Sequence, residues 1–521
     1  MKKEYEWLPE LNGTIPNEAF GYAVSVYSIA YEAWRRGLTV SFKNIYHRSG
    51  KFEPRYSISS GDNKLVFTHT RPNVVSKEAI DICVNKQKTR EFLAEKNVNV
   101  PQGLVLSSLN ESEIKKSINH LDFPLVIKPL DGKGGRGVIT GIDDFKELFD
   151  NINYLKNDLN INEIIVEEYI EGEDYRAFVI GDKVIGAFRR LPPHVIGDGK
   201  NSIKELLKRK NQIRVKIPGT YNMKVTINEE VKRELAKQDY NINSIPSEGE
   251  FVRLKTKNNV SSGGDPIDAT QELPEDVKKD LVQAVKSVPG LLQGGVDVIY
   301  DKSTGRHAVL EINTRPSIRN HLYPIKGKAH PIPRAIIDYY FPETTGIDYS
   351  ETTPRYYFDY VFVKEHILNN RLKSFTLPDH PYEPNLISRK IEFYSKQEID
   401  KLQKFVRRRF HKMLFNGELN LVKKNRYEIT IAGNSQDVAY FIDQLKSKKY
   451  ISKVKESPYT KPIRVGFTFN DHYIGDSKML KKVSQKDKEI RKLKKEITKM
   501  KDSKSWKLTA PLRKLKNKIN K

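Results

Sequence analysis

Cysteine is nearly absent from this chain of 521 residues, whose single example is Cys83. One cysteine cannot form an internal disulfide, so the sequence excludes a disulfide-stapled scaffold and suits a reducing compartment. There is no run of about 18 apolar residues, so no transmembrane helix is expected. The first residues carry no apolar h-region, so we expect no secretory signal. These absences favour a cytoplasmic protein of about three or four domains.

Acidic residues are outnumbered, with 66 Asp and Glu against 91 Lys and Arg, which gives a net charge of +25. The segment from Asp476 to Lys521 holds 18 Lys and Arg and 5 Asp and Glu, so its own charge is +13. This distribution indicates a basic tail joined to a less charged fold. An anionic membrane surface or a surface-polymer assembly protein is the expected partner. Nucleic acid is disfavoured because no recognised reader motif is present.

The clearest chemical pattern combines Asp297, in an apolar strand-like run, with Glu311 and Asn313 on a second strand after a short turn. Side chains two residues apart on a strand point to the same face. The three side chains are therefore expected to converge as hard oxygen ligands of Mg²⁺, with Mn²⁺ as an alternative. The alternative is that these residues bind no metal and form only a polar strand pair at the edge of a sheet.

Two upstream segments favour a nucleotide site. The apolar strand 123–129 contains Lys128 near its end, and a glycine-rich stretch with Gly134, Gly135 and Gly137 follows it. Glycines let backbone N–H groups approach an anion closely, so we predict a hairpin that folds over phosphates. It lacks the Gly-Lys-Ser/Thr ending of a P-loop. The next strand, 164–170, runs into acidic residues that suit an adenosine-binding hinge.

In chain order, the lysine, glycine hairpin, acidic hinge and oxygen triad resemble the ATP-grasp superfamily. A closer resemblance, to the ligase part of cyanophycin synthetases and bifunctional glutathione synthetases, covers about residues 75–340. The stretches that carry it are Arg190–Ile203, Val252–Leu254, Asn259–Gly264, Glu311–Asn313 and Arg319–His321. The resemblance implies an ATP-dependent carboxylate–amine ligase that forms an amide or peptide bond through an acyl phosphate and releases ADP. Its cofactors would be ATP and Mg²⁺, and its substrates an amino acid and a carboxylate.

The resemblance also implies roles by position. Nucleotide contacts are expected from Lys86 (with Lys88 as a competitor), Lys128, Gly134, Gly135, Gly137, Glu167, Tyr169 and Asp174. The implied metal ligands are Asp297, Glu311 and Asn313. The implied catalytic residues are Arg253, Ser262 and Arg319, with Ser261 and Gly263 beside them and Arg190 and His321 as weaker candidates for the substrate pocket. For Arg253 and Arg319 the alternative is a structural ion pair. The sequence has Pro316-Ser317 where the family has Pro-Gly, which leaves the acceptor open.

The whole pattern predicts an α/β and α+β multidomain protein, an ATP-grasp core followed by a ferredoxin-like domain and a helical tail. The predicted parts are a pre-ATP-grasp α/β domain (1–84), the ligase core (85–342), a connector that packs on the core (343–384), an acylphosphatase-like domain (385–471) and a basic tail (472–521).

The order strand, helix, strand, strand, helix, strand between Ile387 and Phe469 resembles acylphosphatase. That family needs a glycine-rich phosphate loop before the first helix, but residues 393–400 contain no glycine. Its catalytic arginine falls on Gln403 and its asparagine on Leu421, with Asn420 one position away. We therefore expect a non-catalytic packing or binding module.

The tail has a heptad seam that predicts a short coiled coil, formed by Met479, Val483, Ile490, Leu493, Ile497 and Met500. The segment Ser503–Arg513 resembles a tail of bacterial glycosyltransferases that make surface polysaccharide. This favours a bacterial cell-envelope role at the inner face of the membrane; a solvated basic helix is the alternative. The competing function is a non-catalytic nucleotide-binding assembly factor, and a homo-oligomer is compatible with either.

Overall fold

The structure, a computed structural model, describes residues 5–46, 52–130, 137–256, 259–346, 354–369, 371–382, 385–396, 399–470 and 496. The chain divides into two compact units, Met1–Pro381 and Tyr382–Lys521. No helix within these described ranges combines the length and apolar character needed to cross a membrane. The predicted lid glycines Gly134 and Gly135 and, except for residue 496, the predicted coiled coil lie outside the described residues.

The first layer of unit 1 is an antiparallel sheet with one helix, Val24–Arg35, where the sequence predicts a helix over 22–36. Gly37 follows it with a φ of 79°, a left-handed conformation that glycine adopts without strain. The connector adds an edge strand to this layer, and Trp34 Nε1 donates a 2.6 Å hydrogen bond to Pro378 O. In sheet order the strands are Ser374–Thr376, Thr39–Tyr46, Phe52–Ser60, Asn63–Thr68 and Arg71–Pro72.

The second layer is a four-stranded antiparallel sheet that carries Lys128 and Glu167. Apolar residues of its strands pack with the helices around Ile114 and Leu148. The strands, in sheet order, are Gly103–Val105, Ile164–Glu168, Leu125–Pro129 and Ile139–Ile142. The helices of this region are Lys77–Val84, Lys86–Glu95, Glu111–Ser117 and Phe145–Asn157. The helix predicted to open at Lys86 does so, and the Asn85 side chain caps it by accepting from Lys88 N.

The central layer is a five-stranded antiparallel sheet. In order its strands are Asp265–Asp268, Lys183–Leu191, Glu173–Ile180, Gln293–Tyr300 and His307–Asn313. The alternation of strand side chains sends Tyr175, Ala177 and Val296 into a buried cluster with the helix Glu275–Ser287. The charged residues between them therefore point to the other face, where the candidate site lies.

A smaller subdomain is inserted between two strands of the central sheet and has its own apolar core around Leu207, Val231 and Val252. It contains a two-stranded ribbon and two helices, which are His194–Ile196, Phe251–Arg253, Ile203–Arg214 and Glu229–Ala236. Short elements complete the described part of unit 1, among them Tyr5–Glu6, Arg319–Leu322, Gly327–Lys328, Ile332–Tyr340, Tyr356–Tyr357 and Tyr360–Val363.

Unit 2 has a separate core built from a five-stranded sheet and two helices. In sheet order its strands are Ile451–Pro458, Leu386–Ser395, Arg426–Asn434, Asn416–Lys423 and Phe467–Asn470. Its helices are Ile399–Met413 and Ser435–Lys446. The first four strands along the chain have the fourth-first-third-second order of a split βαβ motif. The sequence pattern predicts a last strand near Phe469, which the structure has as Phe467–Asn470, but it does not predict Ile451–Pro458, whose side chains are mostly exposed.

Candidate active site

One row of charged side chains crosses three neighbouring strands of the central sheet. Arg176 pairs in register with Asp297, and Asp297 pairs with Glu311 on the next strand. The Arg176 guanidinium contacts both oxygens of Asp297, with Nη2 2.6 Å from Oδ2, and Nη2 lies 3.4 Å from Glu311 Oε1. Side chains directly opposite on adjacent strands are close enough to interact. Strand register therefore brings the two predicted carboxylates together and places a cation beside them.

A second guanidinium binds the same carboxylate. Arg190 Nη2 donates to both oxygens of Asp297 at 2.9 Å, and Nη1 donates to the oxygens of Asp174 at 2.9 and 3.0 Å. Arg190 is a predicted candidate for the substrate pocket and Asp174 a predicted nucleotide contact. In the structure Arg190 links Asp174 to the predicted metal ligand Asp297.

The two arginines set the charge state of this cluster. Burial by itself favours a neutral Asp297, but the charges of Arg176 and Arg190 outweigh it and hold the pKa of Asp297 at about 2. Burial raises the pKa of Asp174, although Arg190 opposes that shift. Asp297 is consequently an anion at neutral pH. Its charge is compensated by the guanidinium groups of Arg176 and Arg190, which are also able to bind a phosphate group.

The third predicted ligand lies next to the second, since Asn313 Nδ2 donates to Glu311 Oε1 at 2.9 Å. The Glu311 side chain is 37% exposed, whereas that of Asp297 is 8% exposed. Two carboxylates and an amide supply oxygen donors of the kind that Mg²⁺ accepts. No group of three His, Cys, Asp or Glu side chains in the described part of the chain could hold a metal ion.

The two predicted phosphate lysines lie near the end of the strand Leu125–Pro129, because Lys128 belongs to this strand and Lys86, which starts the helix Lys86–Glu95, contacts it. Lys128 Nζ is 2.5 Å from Glu167 Oε2, and Lys86 Nζ donates to the carbonyl of Pro129 at 3.3 Å. The Glu167 side chain, expected at the adenine, is thus an ion-pair partner of Lys128. Gly137 has a φ of 74°, and a Cβ there would lie 2.9 Å from a Pro129 side-chain carbon, so this position requires glycine.

Two other residues expected at the nucleotide make backbone hydrogen bonds within the second layer. The backbone N–H of Tyr169 donates to Pro124 O at 3.0 Å, and its ring is 38% exposed. Lys88, the competitor of Lys86, contributes its backbone N–H to the Asn85 cap. Between these two lysines, the structure therefore favours Lys86 as the residue near the phosphate-side strand.

Of the predicted catalytic residues, Arg253 makes a structural contact. Its Nε donates to Oε1 of the buried Glu234 at 2.7 Å, which is the ion pair foreseen as the alternative. Ser262 ends a short 3-10 turn and donates through Oγ to Asn259 O at 2.8 Å. Gly263 follows with a φ of 109°, and a Cβ there would overlap the Val225 side chain. The backbone of this turn is therefore tightly constrained.

Arg319 differs from Arg253 because no ion pair of the described residues includes it. It is 4% exposed, and its Nε and Nη1 atoms are buried without a hydrogen-bond acceptor among the described residues. Burial lowers the pKa of Arg319 to about 10, so the guanidinium stays charged at neutral pH. His321 is 2% exposed and packs against Phe188, with ring centroids 4.8 Å apart. Burial holds the pKa of His321 well below its usual value, so it is neutral.

Sequence reasoning gave Arg176 no role, although it lies at the centre of the charged row. The sequence does contain a relevant pattern, because Asp174 and Arg176 are two residues apart on a strand and therefore lie on the same face. The sequence does not reveal the strand register that places Arg176 opposite Asp297.

Comparison with known proteins finds similarity over the part of the chain that carries these motifs. Residues 83–318 match the model of the ATP-grasp domain family. Cyanophycin synthetase of Synechocystis sp. is 30% identical over 275 residues, which are 51% of this chain and 31% of that protein. The glutathione biosynthesis bifunctional protein of Clostridium perfringens is 30% identical over 330 residues, 61% of this chain and 41% of the relative. The solved structure of a bifunctional glutathione synthetase from Pasteurella multocida is 28% identical, with a TM-score of 0.46. The aligned part is 56% of this chain and 41% of the synthetase chain. The chain therefore spans well under half of the curated relatives it matches.

Proposed function

We propose that the protein is an ATP-dependent carboxylate–amine ligase that forms an amide or peptide bond through an acyl phosphate. The observation that carries this proposal is the row Arg176–Asp297–Glu311, with Asn313 in hydrogen-bond contact with Glu311. This row combines oxygen donors for a hard cation with guanidinium groups that suit phosphate oxygens. The similarity to cyanophycin synthetase and to a bifunctional protein of glutathione biosynthesis supports the same activity.

The proposed reaction has two steps, phosphoryl transfer to the carboxylate and then attack by the amine. An oxygen of the substrate carboxylate attacks the γ-phosphorus of ATP, the bond to the bridging oxygen breaks, and ADP leaves. The amine nitrogen then attacks the acyl carbon, and phosphate and a proton leave. The protein contributes mainly position and charge to such a phosphoryl transfer.

Each described group has a part in this arrangement. Lys128 and Lys86 bind ATP phosphates, and Arg176 and Arg190 bind the phosphate side that faces Asp297. Asp297, Glu311 and Asn313 would hold Mg²⁺, which would offset the negative charge of the phosphate groups during transfer. Arg319 binds a substrate carboxylate other than the one that is phosphorylated, because its buried donors have no acceptor in the described residues.

The remaining assignments extend this proposal to the cell. The basic tail and its resemblance to a polysaccharide-enzyme tail support a cytoplasmic enzyme that adds an amino acid to a surface polymer or its precursor at the inner face of the membrane. The five-stranded domain of unit 2 is proposed to be an acylphosphatase-like module without acylphosphatase activity.

The decisive experiment is a screen of paired amino acids and small carboxylates for stimulated ADP release. We expect release to require Mg²⁺ and to rise when the correct carboxylate and amine are present together. ATP binding without turnover under every pairing would instead support the assembly-factor alternative.

A further inference from the structure

The environment of Arg319 includes a residue from outside the matched ATP-grasp region. The ring of Tyr22 covers the Arg319 guanidinium, with its centroid 4.3 Å from Cζ. Tyr22 is 62% exposed while Arg319 is 4% exposed, so the ring lies between the buried cation and the solvent side. The family match begins at residue 83, so it does not account for Tyr22.

The backbone around Tyr22 is fixed by contacts on both sides. Gly21 N donates to Pro218 O at 2.8 Å, and Gly21 has a φ of 80° that favours glycine. On the other side, Ser25 Oγ accepts from Ile318 N at 3.1 Å, one residue before Arg319. The N-terminal segment is therefore tied to the segment that carries Arg319, and the stacked geometry is a built feature of the fold.

The chemistry of this pair leaves one type of interaction open. An aromatic ring uses the face of a guanidinium, whereas a carboxylate binds its N–H edge, so both can be bound together. Two of the edge donors of Arg319, Nε and Nη1, have no acceptor in the described part of the chain. A buried arginine without a counter-charge is costly, and an entering carboxylate would remove that cost.

We propose that Tyr22 is a positioning residue of the substrate pocket, which orients Arg319 for the free carboxylate of an amino acid or peptide substrate. This inference rests on the proposed ligase function for the identity of the substrate class. The ring also excludes water from the guanidinium, which strengthens its attraction for a carboxylate. The N-terminal domain thus contributes to substrate binding as well as to packing.

The first test does not depend on turnover. Phenylglyoxal, which modifies accessible arginine, is applied to the full chain, and mass spectrometry follows the peptide that contains Arg319. We expect slow labelling in the wild type and in Tyr22→Phe, and labelling at least about fivefold faster in Tyr22→Ala, because only the last removes the ring. Sodium acetate should slow labelling of Tyr22→Ala relative to sodium chloride at equal ionic strength. Equal labelling of wild type and Tyr22→Ala, or no protection by acetate, overturns the proposal.

The second test uses the carboxylate found by the ADP-release screen. Tyr22→Ala should raise its KM about tenfold, with kcat and the KM for ATP within about twofold, while Tyr22→Phe restores the wild-type KM. Tyr154→Ala is the matched control, because Tyr154 is 47% exposed on a helix of the second layer. An unchanged KM in Tyr22→Ala refutes the role of Tyr22 and leaves the ligase proposal standing. Slow labelling with acetate protection but no turnover under any pairing refutes the ligase and keeps the carboxylate pocket.

Discussion

Arg190 reaches Asp297 across an intervening strand, with Nη2 2.9 Å from both carboxylate oxygens. The two residues lie on Lys183–Leu191 and Gln293–Tyr300, which are separated in the sheet by Glu173–Ile180. That middle strand contributes Asp174 and Arg176 to the same cluster, so three strands share one charge-compensated site. A cation that enters this site meets carboxylates already held by two arginines.

We expect Glu311→Gln to reduce ADP formation at least about a hundredfold, because it removes the most exposed carboxylate of the triad. The measurement is steady-state ADP release at saturating Mg²⁺, with circular dichroism to confirm folding. Glu275→Gln is the control, since Glu275 starts a distant helix and pairs only with Lys278 among the described residues. Near wild-type turnover in a folded Glu311→Gln protein contradicts the site assignment.

We expect Arg190→Met to lower the melting temperature by several degrees, because it leaves Asp174 and Asp297 facing each other with less positive charge. Mg²⁺ should raise the melting temperature of this variant more than that of the wild type, because the ion replaces part of the lost charge. Arg189→Met is the matched control, since Arg189 pairs with Glu173 and Glu272. If Mg²⁺ stabilises all three proteins equally, the ion does not bind beside Asp297.

Acid should destabilise unit 1 through His380. Burial, with a further contribution from Arg35, lowers the pKa of His380 to about 4, and the ring lies edge-on to Trp34 at 4.6 Å. An unfolded histidine binds its proton near pH 6.5, so the unfolded state holds more protons between pH 6.5 and 4. The free energy of unfolding should therefore fall as the pH drops through this window, by up to about 3 kcal/mol from this residue.

The check is denaturant unfolding from pH 7.5 to 4 for the wild type and His380→Gln. The variant should show a shallower pH dependence. His120→Gln should behave as the wild type, because His120 is exposed. A pH dependence that is the same in all three proteins assigns the acid sensitivity elsewhere.

The domain of unit 2 should not hydrolyse acyl phosphates. Residues 393–400 lack the glycine loop, and Gln403 stands where the arginine is needed. A fragment from Pro384 to Asp471 contains the core of unit 2 and can be assayed with benzoyl phosphate. Hydrolysis above the buffer rate would contradict the loss of this activity.

A chain truncated after Asp476 should keep ligase activity on soluble substrates and lose binding to anionic vesicles. Each Lys or Arg near such a surface contributes roughly 1 kcal/mol, and salt screens the attraction. Vesicle sedimentation at low and high salt compares the full and truncated chains. Equal binding by both chains, or none by the full chain, would indicate a protein partner for the tail.

Local sequence was enough to predict most elements of the site. The helix that opens at Lys86, the strand that carries Lys128 and the paired strands of Asp297 and Glu311 all follow from apolar periodicity and turn residues. Contacts between segments far apart in the chain could not be predicted. Arg253 and Arg319 are both arginines in segments that carry the family resemblance. In the structure, however, Arg253 forms an ion pair with Glu234, whereas Arg319 packs against the ring of Tyr22.

The sequence by itself determined which oxygen donors, lysines and glycines are available and that the segment carrying them resembles an ATP-grasp domain. Local patterns encode them, because strand alternation and glycine conformations depend on near neighbours. The tertiary structure decided which side chains contact each other, because strand register and sheet order bring together residues that are tens to hundreds of positions apart. It placed Arg176 and Arg190 on Asp297, paired Glu167 with Lys128, and set Tyr22 over the buried Arg319.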